Sequence, residues 1–207
     1  MASQDITLYG VTLSGHSHRV RLMLRALGLS FRFVEADPSM RRSPEYLAMN
    51  PLGQVPVMRD GDVVLADSNA ILVWLVNTRA PRSRWLPNDP LGAANVQRWL
   101  SLSAGELRYG PALARVSKVF GAPIDEAAAT ANARRLLTFM DGHLDGREYL
   151  AADHLTIADV AMHTYVAHAP EGGISLEPYP NVRRWLGRVA VEPWFEPMPA
   201  SPVPELA

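Results

Sequence analysis

Hydrophobic and polar positions in the first part of the chain alternate between strand-like and helix-like patterns. An apolar run around Ile6 and Leu8 ends at Gly10, and apolar residues then recur at helical spacing over residues 20–27. Residues 31–34 alternate again as a strand. A strand, a helix and a second strand over this length predict a right-handed βαβ unit with a parallel pair of strands.

A β-hairpin and an apolar helix are predicted next. Two β-rich runs, residues 55–58 and 63–65, are separated by a segment that contains an Asp-Gly pair, which is a strong hairpin signal. Asp67 and Ser68 open an apolar helix, and either side chain could cap its free backbone N–H groups. The order β-α-β followed by β-β-α predicts a small sheet of the thioredoxin-like type.

Strand patterns fade after residue 80, and the remaining chain is predicted to be helical. Prolines between residues 81 and 90 mark a linker. Helical patterns then follow in four segments: residues 96–107, 126–144, 160–165 and 182–189. Thr156 and Asp159 have the spacing of a capping box, in which two side chains satisfy backbone groups at a helix start, and we assign this motif to folding.

The proline-rich end of the chain is not predicted to be helical. The last fifteen residues contain five prolines, so we expect an extended tail that is laid on the body or left mobile. The chain is therefore predicted to have an α/β thioredoxin-like N-terminal domain at residues 1–80, a linker at 81–90, and an all-α helical C-terminal domain with the tail at 91–207.

Composition excludes several classes of protein. The 207-residue chain is 48% hydrophobic, which is enough apolar material for a packed core and excludes a wholly disordered chain. Its 20 basic and 21 acidic side chains leave no overall positive field, so no nucleic-acid partner is expected. The chain has no cysteine, which excludes disulfides, thiolate metal sites and a cysteine nucleophile.

Neither a metal site nor a membrane segment is predicted. The pair His16 and His18 and the pair His163 and His168 lack the i,i+4 spacing of a zinc-binding helix. The most apolar stretch, residues 70–76, is far shorter than the ~20 residues that span a membrane. The first residues lack the basic and apolar regions of a secretory signal, and we expect a cytoplasmic protein.

Four segments of the chain are candidates for binding parts of a ligand. Two of them could hold a thiol and an extended peptide backbone. Ser14 lies in the loop before the first helix, where the helix start favours an anion and a hydroxyl could stabilise a thiolate. Simple capping of the helix is the alternative. A cis Val55–Pro56 bond would leave the Val55 backbone groups free for an extended ligand, and an ordinary edge proline is the alternative.

The other two segments carry charge. Asp67 and Ser68 suit the ammonium and carboxylate of an amino-acid head, although both residue types commonly just cap a helix. Arg41 and Arg42 could hold a distant carboxylate, although most such pairs are merely solvated. Taken together, the four segments describe one elongated, charged tripeptide that carries a thiol.

These motifs, and the two-part layout of the chain, resemble the glutathione S-transferase superfamily. The phi-like, serine-type pattern of a bacterial-style cytosolic member is matched in register. A serine stands six positions before Val20, and a basic pair precedes Ser43-Pro44-Glu45. The sequence Asn-Pro-x-Gly-Gln-Val-Pro at residues 50–56 and an acidic-Ser pair before Ala70 and Ile71 complete it.

The resemblance implies a role for each matched residue. Ser14 is implied to activate the glutathione thiol. Arg41 and Arg42 are implied to lie near the glycine carboxylate. Gln54 and Val55 are implied to bind the middle of the peptide, and Asp67 and Ser68 its γ-glutamyl head. Glutathione is then a co-substrate, and no metal is needed.

The resemblance further implies a detoxifying transferase that joins the glutathione thiolate to small electrophiles and acts as a homodimer. The electrophile pocket is expected between the halves of the chain, facing Ser14, and Arg115 could favour an acidic substrate. The residues predicted to line it are Leu13, His16, Tyr109, Leu113, Arg115, Val116 and Phe120. A helical stripe of this composition is also typical of a core.

Two other functions stay open. A glutathione-dependent isomerase of the maleyl type would use the same site, but its Ser-Ser-Cys signature is only partly matched by Ser14-Gly15-His16. A non-catalytic scaffold with this fold would fail to bind glutathione, and it has no need of the whole motif set. Members that reduce mixed disulfides carry a cysteine at the Ser14 position, and this chain lacks that nucleophile.

Overall fold

The computed structural model describes residues 6–204. These residues divide into two compact units, one made of residues 6–83 with Trp194–Met198, the other of Arg84–Pro193 with residues 199–204. Residues 1–5, where no secretory signal is predicted, and residues 205–207 of the predicted tail lie outside the described part. Within the described part, no helix is both long enough and apolar enough to cross a membrane.

Four strands form one mixed sheet in the first unit. The strands are β1 (Ile6–Gly10), β2 (Phe31–Glu35), β3 (Val57–Asp60) and β4 (Val63–Ala66), in the order β2-β1-β3-β4. β1 and β2 are parallel, with Leu8 opposite Phe33, whereas β3 is antiparallel to both β1 and β4. The predicted βαβ unit and the predicted hairpin are therefore confirmed.

Three helices accompany this sheet. They are α1 (Gly15–Ala26), α2 (Pro44–Met49) and α3 (Ser68–Arg79), and a 3₁₀ turn (Met40–Arg42) precedes α2. The sequence did not predict α2, because six residues are too few to show a helical period. Its start is set locally, since the Ser43 hydroxyl accepts a hydrogen bond from the Tyr46 N–H at 3.2 Å.

Tyr46 fixes α2 and the loop that follows it on the sheet. Its ring is buried beside Ala36 and Val57 and meets the edge of Tyr9, with ring centres 6.3 Å apart. Its hydroxyl donates to the Gln54 carbonyl oxygen at 2.8 Å. Burial raises the pKa of Tyr46 to about 12, so this phenol keeps its proton and stays a donor.

The second unit is helical, as predicted. Its elements are α4 (Pro90–Leu102), a π-helical segment (Ser103–Ala112), α5 (Leu113–Phe120), α6 (Glu126–His143), α7 (Ile157–Ala167), a 3₁₀ turn (Ala169–Gly172) and α8 (Pro180–Ala190). The first three are continuous along the chain. Pro111 lies inside the π-helical segment, where a proline cannot donate a backbone hydrogen bond.

A buried carboxylate, Asp159, organises the core of this unit. It accepts hydrogen bonds from the Thr156 N–H at 2.9 Å, the Leu150 N–H at 3.0 Å and the Trp185 indole N–H at 2.9 Å. Burial raises the pKa of Asp159, and these hydrogen bonds oppose that rise. The capping box predicted at Thr156 and Asp159 is therefore confirmed, and it also ties α7 to α8.

The π-helical segment and α6 approach each other closely at Gly110. A Cβ atom at this position would lie 2.8 Å from the Ala133 backbone nitrogen and 3.0 Å from its Cα. Both are backbone atoms, which cannot swing aside as a flexible side chain can. Gly105, in the same segment, has open space around its Cβ position.

Replacing Gly110 by alanine is expected to destabilise the second unit by about 1–3 kcal/mol, because the added methyl group overpacks a rigid contact. Urea denaturation followed by circular dichroism measures the change. The matched control, Gly105→Ala, should leave stability unchanged or raise it, since alanine is the better helix former. Equal effects of the two substitutions would contradict the close approach at Gly110.

Candidate functional site

Ser14 is the N-cap residue of α1. Its hydroxyl oxygen accepts a hydrogen bond from the Ser17 N–H at 3.3 Å, so the capping role that the sequence allows is present. This bond uses a lone pair of the oxygen and not the hydroxyl hydrogen. The first turn of α1 has no acidic residue, so no carboxylate of the helix itself offsets the partial positive charge at its N-terminus.

The loop that leads to Ser14 is held by Glu35, at the end of β2. Both carboxylate oxygens accept from the Thr12 N–H at 3.1 Å, and one accepts from the Thr12 hydroxyl at 2.7 Å. The Ser14 N–H in turn donates to the Val11 carbonyl oxygen at 2.9 Å. Sequence reasoning missed Glu35, because no local pattern links a strand end to this loop.

The start of α3 lies against α1. Ser68 is buried, and its hydroxyl oxygen lies 3.5 Å from Nδ1 of His16 and accepts from Arg19 at 3.3 Å. The Arg19 guanidinium also donates to the Asn69 side-chain oxygen at 2.9 Å. The structure therefore brings the Ser14 helix and the predicted Asp67–Ser68 segment together, and Arg19 is the residue that joins them.

Asp67 combines a helix cap with an unusual backbone. Its carboxylate Oδ1 accepts from the Ala70 N–H at 2.9 Å, and no described residue donates to Oδ2. Among the described non-glycine residues, only Asp67 has a positive φ, at 73°. Such a conformation costs on the order of 1–3 kcal/mol and persists where the surroundings enforce it.

The segment before β3 offers a main chain that the sheet does not use. The Val55–Pro56 bond is cis, and the first β3 residue in the ladder is Val57, opposite Tyr9. The carbonyl oxygen of Gln54 is already engaged by two donors, the Tyr46 hydroxyl and the Asn50 amide at 2.9 Å. The backbone around Val55 is therefore fixed in place without being part of a strand.

Arg41 and Arg42 line a cavity of about 280 Å³ in the first unit. Neither arginine forms an ion pair with a carboxylate of residues 6–204. The nearby Asp37 is occupied by Ser39 and Met40, and the hydrogen bond from the Ser39 side chain is the largest cause that lowers the pKa of Asp37. The charge of Arg41 is a smaller cause of the same lowering of the pKa, so Asp37 interacts with Arg41 at longer range without forming an ion pair with it.

The residues predicted to line an electrophile pocket differ in exposure. Tyr109 is 59% exposed and Phe120 51% exposed, so both present aromatic surface to solvent in the second unit. Half-buried positions are occupied by Leu13 and His16 in the first unit and by Leu113 and Val116 in the second.

The prediction for Arg115 is corrected by the structure. Its side chain is buried, and Nε donates to a Glu171 carboxylate oxygen at 2.5 Å. Glu171 also accepts from the Ser201 N–H at 2.9 Å and contacts the His168 ring at 2.6 Å. Arg115 therefore balances a buried carboxylate in the core and is not available to an acidic substrate.

The proline-rich tail packs on the body, which is one of the two predicted alternatives, but the sequence did not predict that Trp194–Met198 belong to the first unit. The Glu196 carboxylate pairs with Arg21 at 2.5 Å and Arg25 at 2.7 Å on α1. Its carbonyl oxygen lies 2.7 Å from Nε2 of His18. These contacts join residues that are far apart in the sequence, so no local pattern predicts them.

Over residues 6–204, no group of three or more His, Asp or Glu side chains could hold a metal ion.

These features define a class: a thioredoxin-like sheet that presents a serine at a helix start, followed along the chain by a helical unit. A family model for the N-terminal domain of glutathione S-transferases matches residues 8–83, and one for the C-terminal domain matches residues 112–193. The chain belongs to the glutathione S-transferase superfamily and is a glutathione transferase.

Individual relatives agree over nearly the whole chain. Glutathione S-transferase 3 of Zea mays is 31% identical over 95% of this chain and 97% of its own length. A probable glutathione S-transferase of Oryza sativa is 31% identical over 90% of this chain and 92% of its own. The crystal structure of a glutathione S-transferase from Pseudomonas fluorescens superposes with a TM-score of 0.86 at 30% identity, covering 93% of this chain and 98% of that one.

Glu196→Ala is expected to loosen α1, because Arg21 and Arg25 lose their shared partner. The loss of an exposed network of this kind is on the order of 1 kcal/mol, or about fivefold faster local exchange. Hydrogen–deuterium exchange over residues 15–26 measures it. Glu192→Ala is the matched control, since Glu192 forms no ion pair with the described residues, and equal exchange in the two variants would contradict the role of Glu196.

Proposed function

We propose that this chain conjugates glutathione to small electrophiles, and that the Ser14 hydroxyl donates a hydrogen bond to the glutathione thiolate. The position of Ser14 at the start of α1, with its hydroxyl hydrogen not used by the cap, is the observation that carries the proposal. The donated bond and the positive helix end would both favour the ionised sulfur. Each unit by which they lower the thiol pKa corresponds to about 1.4 kcal/mol.

The rest of the tripeptide would lie across the first unit. Asp67 Oδ2 suits the ammonium of the γ-glutamyl head, and Ser68 at the start of α3 suits its carboxylate. The Val55 main chain, outside the ladder, suits the backbone of the cysteinyl residue. Arg41 and Arg42, which form no ion pair with the described residues, suit the glycine carboxylate. Gln54, which precedes Val55, is proposed to bind the same middle part of the peptide.

The proposed reaction needs no metal or redox cofactor. The thiol proton leaves for solvent, and the thiolate attacks an electrophilic carbon of the second substrate. A sulfur–carbon bond forms, and either a leaving group departs with its electron pair or an activated double bond takes up a proton. Catalysis then rests on the ionised thiol and on holding two substrates together.

The electrophile contacts follow from the sequence resemblance alone. We propose Leu13, His16, Tyr109, Leu113, Val116 and Phe120 for this role, and we leave out Arg115. The exposed aromatic rings of Tyr109 and Phe120 support the proposal, because electrophiles of this class are largely apolar. A homodimeric, cytoplasmic enzyme with a role in detoxification is likewise proposed from the family.

Ser14→Ala should lower kcat/KM with 1-chloro-2,4-dinitrobenzene roughly 10- to 100-fold, the worth of a hydrogen bond to a charged group. The dissociation constant for glutathione, measured by calorimetry, should change far less, and the pKa of the bound thiol should rise. The matched control is Ser43→Ala, which removes the N-cap serine of α2.

An unchanged bound-thiol pKa in Ser14→Ala would remove Ser14 from its proposed role. Assays that follow glutathione consumption separate conjugation from isomerisation, because an isomerase returns the peptide unchanged. Wild-type protein that turns over a maleyl compound with no loss of glutathione would favour the isomerase.

Asp67→Asn separates the two roles of this residue. Asparagine caps a helix as well as aspartate and tolerates a positive φ, so the thermal midpoint should stay nearly the same. Loss of the negative charge should weaken glutathione binding about tenfold or more, as measured by calorimetry. The control is Asp89→Asn, which makes the same change at the N-cap of α4. Equal affinities in both variants would exclude Asp67 from ammonium binding.

A further inference from the structure

A buried arginine supports the helix start that is proposed to hold the γ-glutamyl head. Arg19 lies on α1, and only 1% of its surface is exposed. Arginine is almost never buried to this extent unless it is paired, because its charge is costly to remove from water. The contacts that Arg19 makes in the first unit therefore decide what its burial serves.

Two acceptors of Arg19 lie at the first two positions of α3. One guanidinium nitrogen, Nη1, donates to the Ser68 hydroxyl oxygen at 3.3 Å and to the Asn69 side-chain oxygen at 2.9 Å. Asp67, just before them, is the N-cap of α3 and is exposed. Both acceptors are neutral, so Arg19 places a full positive charge beside a helix start whose cap residue is open to solvent.

The bond from Arg19 leaves the Ser68 hydroxyl able to donate. A hydroxyl oxygen that accepts from a guanidinium keeps its own hydrogen for another partner. Among the described residues, the acceptor near that hydrogen is Nδ1 of His16, at 3.5 Å, which is long for a hydrogen bond. The Ser68 hydroxyl can therefore give its hydrogen to a stronger acceptor, such as a carboxylate, while Arg19 polarises it from the other side.

We propose that Arg19 is a positioning residue for the α-carboxylate of the γ-glutamyl head, and that it acts through Ser68. This inference rests on the proposed function, in which Ser68 receives that carboxylate. Arg19 adds two effects. Its hydrogen bond holds the Ser68 hydroxyl in a donating orientation, and its charge, one hydroxyl group away from the ligand, attracts the carboxylate in surroundings that largely exclude water.

Three peptides separate this role from a purely structural one. Glutathione carries both charges of the γ-glutamyl head, 4-aminobutyryl-cysteinylglycine lacks only the carboxylate, and glutaryl-cysteinylglycine lacks only the ammonium. Calorimetry measures their dissociation constants with the wild type and with Arg19→Gln. The substitution should weaken the binding of glutathione and of the glutaryl peptide about tenfold or more. It should leave the affinity for the 4-aminobutyryl peptide nearly unchanged, since that peptide has no carboxylate at this end.

Arg32→Gln is the matched control. Arg32 is an exposed arginine on β2 of the same unit, and its substitution removes the same charge. This variant should bind all three peptides as the wild type does, and thermal melting checks that each variant is folded.

Asn69→Asp tests the same role in a variant that is expected to fold, and it decides alone if Arg19→Gln does not fold. Aspartate has the shape of asparagine, gives Arg19 an acceptor of opposite charge, and is favourable in the first turn of a helix. The thermal midpoint should therefore hold or rise. Because the new carboxylate engages Arg19 in place of the ligand, the affinity for glutathione and for the glutaryl peptide should fall about tenfold or more. The affinity for the 4-aminobutyryl peptide should not fall.

An equal loss of affinity for all three peptides in Arg19→Gln would overturn the proposal, because Arg19 would then only hold α1 against α3. Wild-type affinity for glutathione in Asn69→Asp would overturn it as well. Either result leaves the proposed function intact, provided that the wild type binds glutathione and that Ser14→Ala raises the pKa of the bound thiol. A wild type that does not bind glutathione would overturn both the proposed function and this inference.

Discussion

The position of α1 on the sheet is the constraint on which the candidate site depends. The favourable field of a helix N-terminus acts only within about one turn, so the role proposed for Ser14 requires that the helix start is fixed. Three separate contacts fix it. Glu35 holds the preceding loop through Thr12, Arg19 joins α1 to the start of α3, and Glu196 pairs with the outer face of the helix.

Buried carboxylates have a partner in both units, because an unpaired buried charge is strongly unfavourable. Asp60 pairs with Arg79 in the first unit. In the second unit, backbone and indole N–H groups donate to Asp159, and Arg115 pairs with Glu171. Arg41 and Arg42 form no ion pair with the described residues and border the cavity of the first unit. They are the residues proposed for the glycine carboxylate.

Several features were predictable because their causes are local. The hairpin needs only two β-rich runs and an Asp-Gly pair, and the capping box needs only Thr156 and Asp159 at the right spacing. The motif set around Ser14 was visible for the same reason. The sequence did not predict α2, because six residues are too few to show a helical period. It wrongly predicted Arg115 as a pocket residue, because the same helical pattern of apolar residues occurs in a pocket wall and in a core.

The sequence by itself determined the class of fold, the helix starts at Ser14, Asp67 and Thr156, and the motif set on which the proposed glutathione site is based. Only the tertiary structure decided that Glu35 and Glu196 hold the Ser14 helix and that Arg115 forms an ion pair with Glu171. The physical reason is range. A cap or a turn is a hydrogen bond between residues a few positions apart, whereas the partners of a buried or surface charge are set by packing, which no short stretch of sequence contains.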